Sequence, residues 1–146
     1  TRYMTWDPHP GQGVTRRFLK ESLRAEKRGD RLHFLMILKE NGKMIGTVDF
    51  VSFNPSVPSA EIGYAMNPEY TGRGLMTEAV RAAVRFAFTD LRLNRIEARY
   101  VTENERSLGV MLRAGMRREG VIRKSMKIHG VLRDIGVCSV LRSEYL

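Results

Sequence analysis

Along residues 74–91 the apolar side chains recur as Met76, Ala79/Val80, Ala83, Phe86/Ala87 and Leu91. A period near 3.6 puts them on one side of a helix. Most other apolar residues fall in runs of strand length, at 32–38, 44–53, 60–66, 95–101, 116–128 and 132–141. Two further helices are predicted. Thr15 is placed to cap one that carries Phe18, Leu19 and Leu23 on one face and runs to about Arg28, with Gly29 as its stop. Residues 104–114 form the other, ended by Gly115. Glu40-Asn41-Gly42-Lys43 reads as a hairpin turn in which Asn41 and Gly42 supply positive φ angles. His129-Gly130 joins the last two strands.

The order is helix, three strands, helix, strand, helix, two strands. With no linker, repeat or low-complexity segment, the 146 residues are expected to form one α/β domain around a mixed sheet. A chain of this length buries roughly two thirds of its unfolded surface. No apolar run reaches the ~18 residues of a membrane span, and no basic segment followed by an apolar stretch suggests a secretory signal. The single cysteine, Cys138, excludes an internal disulfide, reads as a small buried hydrophobe, and points to a reducing cytoplasm. No Cys/His cluster has metal-ligand spacing, so no metal is expected.

Charge changes the picture. The formal net charge of +9 favours an anionic partner without choosing among nucleic acid, the ribosome, an acidic peptide and a phosphorylated cofactor. The run Arg113, Arg117, Arg118, Arg123, Lys124 and Lys127 either attracts RNA or an acidic acceptor, or is a solvated strand face. His33, inside an apolar run, reads as a packed or hydrogen-bonded histidine. Tyr3 and Trp6 read as anchors of the first helix or as substrate contacts.

The chemistry concentrates at Tyr70-Thr71-Gly72-Arg73-Gly74-Leu75-Met76, which joins a strand to a helix. Glycines allow a tight turn and a close backbone approach. The first amides of a helix lack an internal acceptor and carry the positive end of its dipole, so a phosphate is a natural occupant. A Walker loop is excluded because Gly-Lys-Ser/Thr is missing. A dinucleotide fingerprint is excluded because Thr77 stands where the third glycine belongs. On the loop alone, a diphosphate site and an empty tight turn both remain open.

The wider context is more specific. Residues 60–79, followed by Asn104-Glu105-Arg106-Ser107, Ala114-Gly115-Met116 and Glu119-Gly120, closely resemble the acetyl-CoA-binding core of the GNAT N-acetyltransferases, and most nearly their Rim-type branch. The resemblance covers the chain from about Tyr3 onward. It implies a single α+β domain over 1–146, with a mostly antiparallel sheet splayed in a V between the third and fourth predicted strands. It further implies that backbone groups of Met66 and Asn67 pair with the pantetheine arm of acetyl-CoA. The amides of Thr71, Gly72, Arg73, Gly74, Leu75 and Met76 would hold the pyrophosphate, and Asn104 and Ser107 would face the cofactor near its sulfur. The implied activity is acetyl transfer from acetyl-CoA to a primary amine, either a protein N-terminus or a small molecule, by direct attack in a ternary complex. A homodimer is compatible with such a sheet, and RNA or ribosome association is an accessory expectation of the charge.

This chain also departs from that pattern. Glu69 stands at the start of the loop where Gln or Arg is usual, and is expected to face solvent. The tyrosine acid of many relatives is replaced by Met111, which leaves Ser107 as the candidate donor to the leaving sulfur or as a small residue that lets the cofactor pack closely. Met126 occupies the slot of the Rim-type glutamate base, so Glu61 is the substitute base, or simply a hydrogen-bonded strand-end carboxylate. The basic-apolar strand that usually opens the family is absent before Tyr3, and a sheet edge is therefore expected to be uncovered. These departures keep a second reading alive, a non-catalytic acyl-CoA-binding sensor.

Overall fold

The computed structural model describes residues 2–145; Thr1, the start of the sequence, lies outside them. The elements are α1 (Gln12–Lys27), β1 (Leu32–Ile37), β2 (Met44–Asn54), β3 (Ser59–Met66), α2 (Leu75–Thr89), β4 (Arg95–Val101), α3 (Glu105–Arg113), β5 (Arg117–Ile128), β6 (Val131–Leu141) and α4 (Arg142–Tyr145). A 3-10 turn, Pro68–Tyr70, precedes α2. The strands form one sheet in the order β1-β2-β3-β4-β6-β5. Every neighbouring pair is antiparallel except β3 and β4, which run parallel. The edges are β1 and β5.

The β3–β4 ladder is short. It runs from Ser59 opposite Arg95 to Ile62 opposite Ala98, and then stops. Beyond that point β3 continues against β2 alone, with Gly63 opposite Asp49 and Met66 opposite Gly46. β4 continues against β6, with Arg99 opposite Val137 and Val101 opposite Ile135. The sheet is therefore split between its third and fourth strands, as the resemblance implies.

Alternation along each strand decides which face is covered. Val48 and Phe50 of β2, Ala60 and Ile62 of β3, Ile96 and Ala98 of β4, and Cys138 and Val140 of β6 are buried with Val80, Val84, Ala87 and Phe88 of α2, Met111 of α3 and Ala114, its C-cap. Burying each large side chain contributes ~1.5–3 kcal/mol. Cys138 is thus the small buried hydrophobe expected. A smaller cluster of Val101, Ile128 and Ile135, with Tyr3 and Met126 against it, fills in beside the main core.

Two local expectations fail for identifiable reasons. α1 begins at Gln12 with the extended Gly11 as its N-cap, so Thr15 lies a turn inside the helix. Its hydroxyl donates to the Gly11 carbonyl (3.4 Å) and meets His9 Nδ1 (3.0 Å) instead of capping. The β1–β2 turn is longer than a two-residue Asn-Gly hairpin. It closes with Leu38 N–H to Lys43 O and Gly42 N–H to Leu38 O, so only Gly42 takes a positive φ, 71°. α4 and the 3-10 turn are too short to leave a periodic signal. His33 hydrogen-bonds Asp49 at 3.0 Å, in keeping with its structural reading.

Candidate functional site

The loop before α2 has an anion-binding form. Gly72 and Gly74 adopt φ of 79° and 76°, the left-handed region that glycine enters without a Cβ penalty. Gly74 is the N-cap of α2 and offers no side-chain acceptor. Among the described residues none of the amides from Gly72 to Thr77 has a backbone acceptor; Glu78 N–H is the first to find one, at Gly74 O. These open donors lie at the positive end of the helix dipole, at the start of α2. Arg73 and Lys43 lie over the Tyr70 ring at 5.9 and 5.6 Å and add positive charge beside it. Glu69 is exposed, as expected.

Not every residue of the predicted set is equally free. Thr71 already gives its amide and hydroxyl to Pro68 O, at 3.2 and 2.8 Å. Asn67 caps the 3-10 turn by accepting from Glu69 N–H at 3.1 Å, and its own amide donates to Ile45 O at 2.8 Å. Met66 lies on the diverging end of β3, where the strand has lost β4 as a neighbour. Alternate residues of 63–66 therefore present backbone N–H and C=O groups to the opening, a ladder edge that an extended ligand can complete.

The N-terminus of α3 closes the other side of the split. Asn104 is its N-cap, accepting from Ser107 N–H at 3.2 Å. Tyr64, from the diverging part of β3, reaches Ser107: its hydroxyl lies 3.0 Å from both the Ser107 carbonyl and Oγ. Burial, partly offset by the Ser107 hydrogen bond, pushes the Tyr64 phenol up to about 12. Tyr64 was absent from the sequence-derived set; no spacing rule links it to a residue 43 positions away. Met111, in the slot of the missing tyrosine acid, is fully buried in the core. α2 and α3 are tied together by Arg113 Nε donating to Thr77 Oγ1 (3.3 Å) and by Arg81 donating twice to Arg113 O (2.9 and 2.6 Å). Thr77 therefore replaces a glycine with a buried hydroxyl that joins two helices.

Glu61 belongs to the opposite sheet face, because it alternates with the core residues Ala60 and Ile62. No contact among the described residues joins it to Ser107. It ends a row of alternating charges. Glu119 is paired with Arg95 through two 2.7 Å contacts, and Arg95 with Glu97 at 2.9 Å. Glu97 is paired with Arg99 at 3.0 Å, and Arg99 approaches Glu61 only to 3.8 Å. Burial raises the Glu61 carboxyl above its usual range; Arg99 opposes this and Glu97 adds to it. Burial also acts to raise Glu97, but its hydrogen bonds to Arg95 and Arg99 bring it below the ordinary value. The row thus leaves one poorly paired carboxylate beside the closed end of the split.

At the other end, Glu119 is held down to about 2, first by Arg95 and then by Ser139, whose hydroxyl donates at 2.6 Å. Its folded pKa lies below its unfolded one, so its stabilising effect is present above about pH 4.5 and is lost as the pH falls towards 2. Glu119 is mostly exposed, and screening limits the effect to under ~1 kcal/mol. Glu119→Gln is expected to flatten that part of the acid-unfolding curve, measured by melting temperature from pH 6 down to about pH 2; an unchanged slope would remove Glu119 from the acid response.

The basic run lies mainly on β5, an exposed edge strand. Three of its members are already engaged, Arg113 with Thr77 at 3.3 Å, Arg117 with Glu144 at 3.0 Å and Lys124 with Asp134 at 3.5 Å.

With this geometry in view, likeness to known proteins is specific. A family model described as the acetyltransferase (GNAT) domain matches residues 1–117. The Bacillus subtilis (strain 168) protein named "Probable N-acetyltransferase YjcK" is 36% identical over 139 residues, 94% of this chain and 76% of that relative. The "[Ribosomal protein uS5]-alanine N-acetyltransferase" of Escherichia coli (strain K12) is 30% identical over 109 residues, 74% of this chain and 56% of the relative. Among solved structures, the ribosomal-protein-S5-alanine acetyltransferase from Vibrio fischeri superposes with a TM-score of 0.85 at 26% identity, covering 99% of this chain and 81% of that one. The named relatives are acetyltransferases and lend no support to a non-catalytic sensor. The split sheet, the glycine-capped helix with its open amides and these likenesses agree: the chain belongs to the acetyltransferase (GNAT) family and is an acetyl-CoA-dependent N-acetyltransferase.

Proposed function

We propose that this domain transfers the acetyl group of acetyl-CoA to a primary amine by direct attack in a ternary complex, and that the acceptor is the α-amine of a protein N-terminus. The single observation that carries the reading is the split between β3 and β4, with phosphate-competent amides at one side and Glu61 on the opposite sheet face. Cofactor and amine can then approach the same point from different sides. The likeness to an enzyme named for an alanine of ribosomal protein uS5 favours an α-amine.

In this reading the free amides of residues 72–76 hold the pyrophosphate. The exposed ladder edge of residues 63–66 aligns the pantetheine arm and supplies a backbone N–H to the developing oxyanion. The amine nitrogen forms its bond to the thioester carbon as the carbon–sulfur bond breaks. Glu61, directly or through water, takes the amine proton, and Ser107 donates a hydrogen bond to the departing thiolate. Alignment of the two reactants contributes much of the acceleration. An α-amine, with a pKa of about 8 against about 10.4 for lysine, asks less of the base.

The test is an acceptor screen with acetyl-CoA, read by mass spectrometry so that the acetylated atom is identified. Peptides with free α-amines are expected to be modified at the N-terminus. Acetylation confined to lysine or to small amines would overturn the N-terminal assignment, and no thiol release with any acceptor would overturn the transfer reading. With a working acceptor, Glu61→Gln is expected to lower kcat/KM by roughly 100-fold. Only the ionised carboxylate accepts a proton, so the parent's rate should fall more steeply with decreasing pH than the variant's, whose remaining limb is set by the amine. A variant with the parent's rate and profile would make Glu61 structural.

A further inference from the structure

Tyr64 and Ser107 form a closed hydroxyl pair at the mouth of the split, and the arrangement has a consequence for the leaving group. Two hydroxyl protons are available for three oxygens: Tyr64 Oη, Ser107 Oγ and the Ser107 carbonyl. Tyr64 Oη is 3.0 Å from each of the two Ser107 oxygens. When Tyr64 donates to the carbonyl, Ser107 satisfies itself by donating to Tyr64, and its proton is committed within the protein. When Tyr64 turns to donate to Ser107 Oγ, the Ser107 proton is released to point elsewhere. Heavy atoms need not move, because only two hydroxyl rotors change direction. Ser107 is also fixed from behind, since its amide is held by the Asn104 cap.

We propose that Tyr64 is a positioning residue for acetyl transfer: by turning its hydroxyl from the Ser107 carbonyl to donate to Ser107 Oγ, it aims and polarises the Ser107 proton toward the sulfur of coenzyme A. This rests on the transfer reading above. Tyr64 itself stays protonated throughout. With its phenol pushed up to about 12, first by burial, it is a poor acid but a permanent donor at working pH. The tyrosine missing from the α3 slot, where Met111 is buried in the core, is thus answered by a tyrosine of β3 acting through the serine rather than on the sulfur. No proton is transferred within the pair. The thiolate gains a hydrogen bond as the carbon–sulfur bond breaks, and takes its proton from water on release.

The experiment titrates the thiol of coenzyme A bound to the folded protein, followed by thiolate ultraviolet absorbance, in the parent, Tyr64→Phe, Ser107→Ala and the double variant. Tyr64→Phe keeps the ring in place, and Ser107→Thr keeps a hydroxyl. Ser107→Ala is expected to raise the bound thiol's pKa by about one unit, the size of one hydrogen bond to a charged atom, and Tyr64→Phe by a smaller step, because the serine keeps its proton but loses the donor that orients and polarises it. The double variant should rise no further than Ser107→Ala, and Ser107→Thr should stay near the parent. In turnover with a working acceptor, Tyr64→Phe is expected to lower kcat by ~3-fold with KM for acetyl-CoA within about twofold. Additive shifts in the double variant would show two independent hydroxyls and overturn the pairing. So would an unshifted thiol in Tyr64→Phe. If the thiol shifts as expected but no amine is acetylated, the pairing stands and the transfer reading fails.

Discussion

Gly72→Asp and Gly74→Asp are expected to bind coenzyme A at least ~100-fold more weakly than the parent while still folding. Both glycines have positive φ, and a Cβ built at either would meet nothing within 4 Å. The added side chain therefore has room, and the fold is penalised only by left-handed strain of ~1–2 kcal/mol, which aspartate tolerates better than most residues. Binding suffers far more. A carboxylate at this position accepts the very amides left open from Gly72 to Met76 and places a negative charge against the diphosphate. Each term is of order 1 kcal/mol or more, and together they reach the stated loss. Gly72→Asn separates them, because it carries the same strain without the charge, and it should weaken binding only ~10-fold. Isothermal titration with coenzyme A at two salt concentrations checks all three variants. Binding of the aspartate variants within threefold of the parent would mean that the diphosphate lies elsewhere.

Gly136→Ala is expected to destabilise the domain by ~3 kcal/mol, lowering its melting temperature by roughly 10 °C. Gly136 lies on β6 opposite Tyr100 of β4. A Cβ there would overlap ring carbons Cε1 and Cζ of Tyr100 and come within 2.6 Å of its hydroxyl. The ring cannot swing away, because Tyr100 is only 4% exposed and belongs to the main core with Met111, Ala114 and Met116. The companion substitution has the opposite sign. The Tyr100 hydroxyl is buried with no hydrogen-bond partner among the described residues, so Tyr100→Phe should be neutral or stabilising by up to ~1 kcal/mol. Thermal melts of the two variants test the pair. A parent-like melt for Gly136→Ala would show that the ring has another position to occupy.

The binding half of the site was far more legible in the sequence than the hydroxyl half. Gly72 and Gly74 mark the loop because positive φ and helix entry are local requirements, written within a few neighbouring residues. Asn104 was legible as a helix start for the same reason, and it proves to be the N-cap of α3. Glu61 and Ser107 stand out in the sequence only because Met111 and Met126 fill the two slots where the family's acid and base are expected. The structure places Glu61 and Ser107 apart, on opposite sheet faces, with Tyr64 beside the serine. Tyr64 carried no signal because its partner is supplied by α3, after an intervening helix and strand. Thr15 and Asn41 show the converse: both are good local formers of a cap and a turn, yet the chain used Gly11 for the first and let Gly42 alone turn the second.

Local periodicity by itself determined the helix over 75–89, the strands and the glycine turn between β3 and α2, because repeats of 2 and 3.6 reflect backbone geometry that each segment carries alone. Tertiary structure alone decided where the β3–β4 ladder ends, which residues the opening brings face to face, and why position 136 of β6 has no room for a side chain. Those outcomes depend on strand order and register. Both are set by the joint packing of the sheet against α2 and α3, and no single segment contains that information.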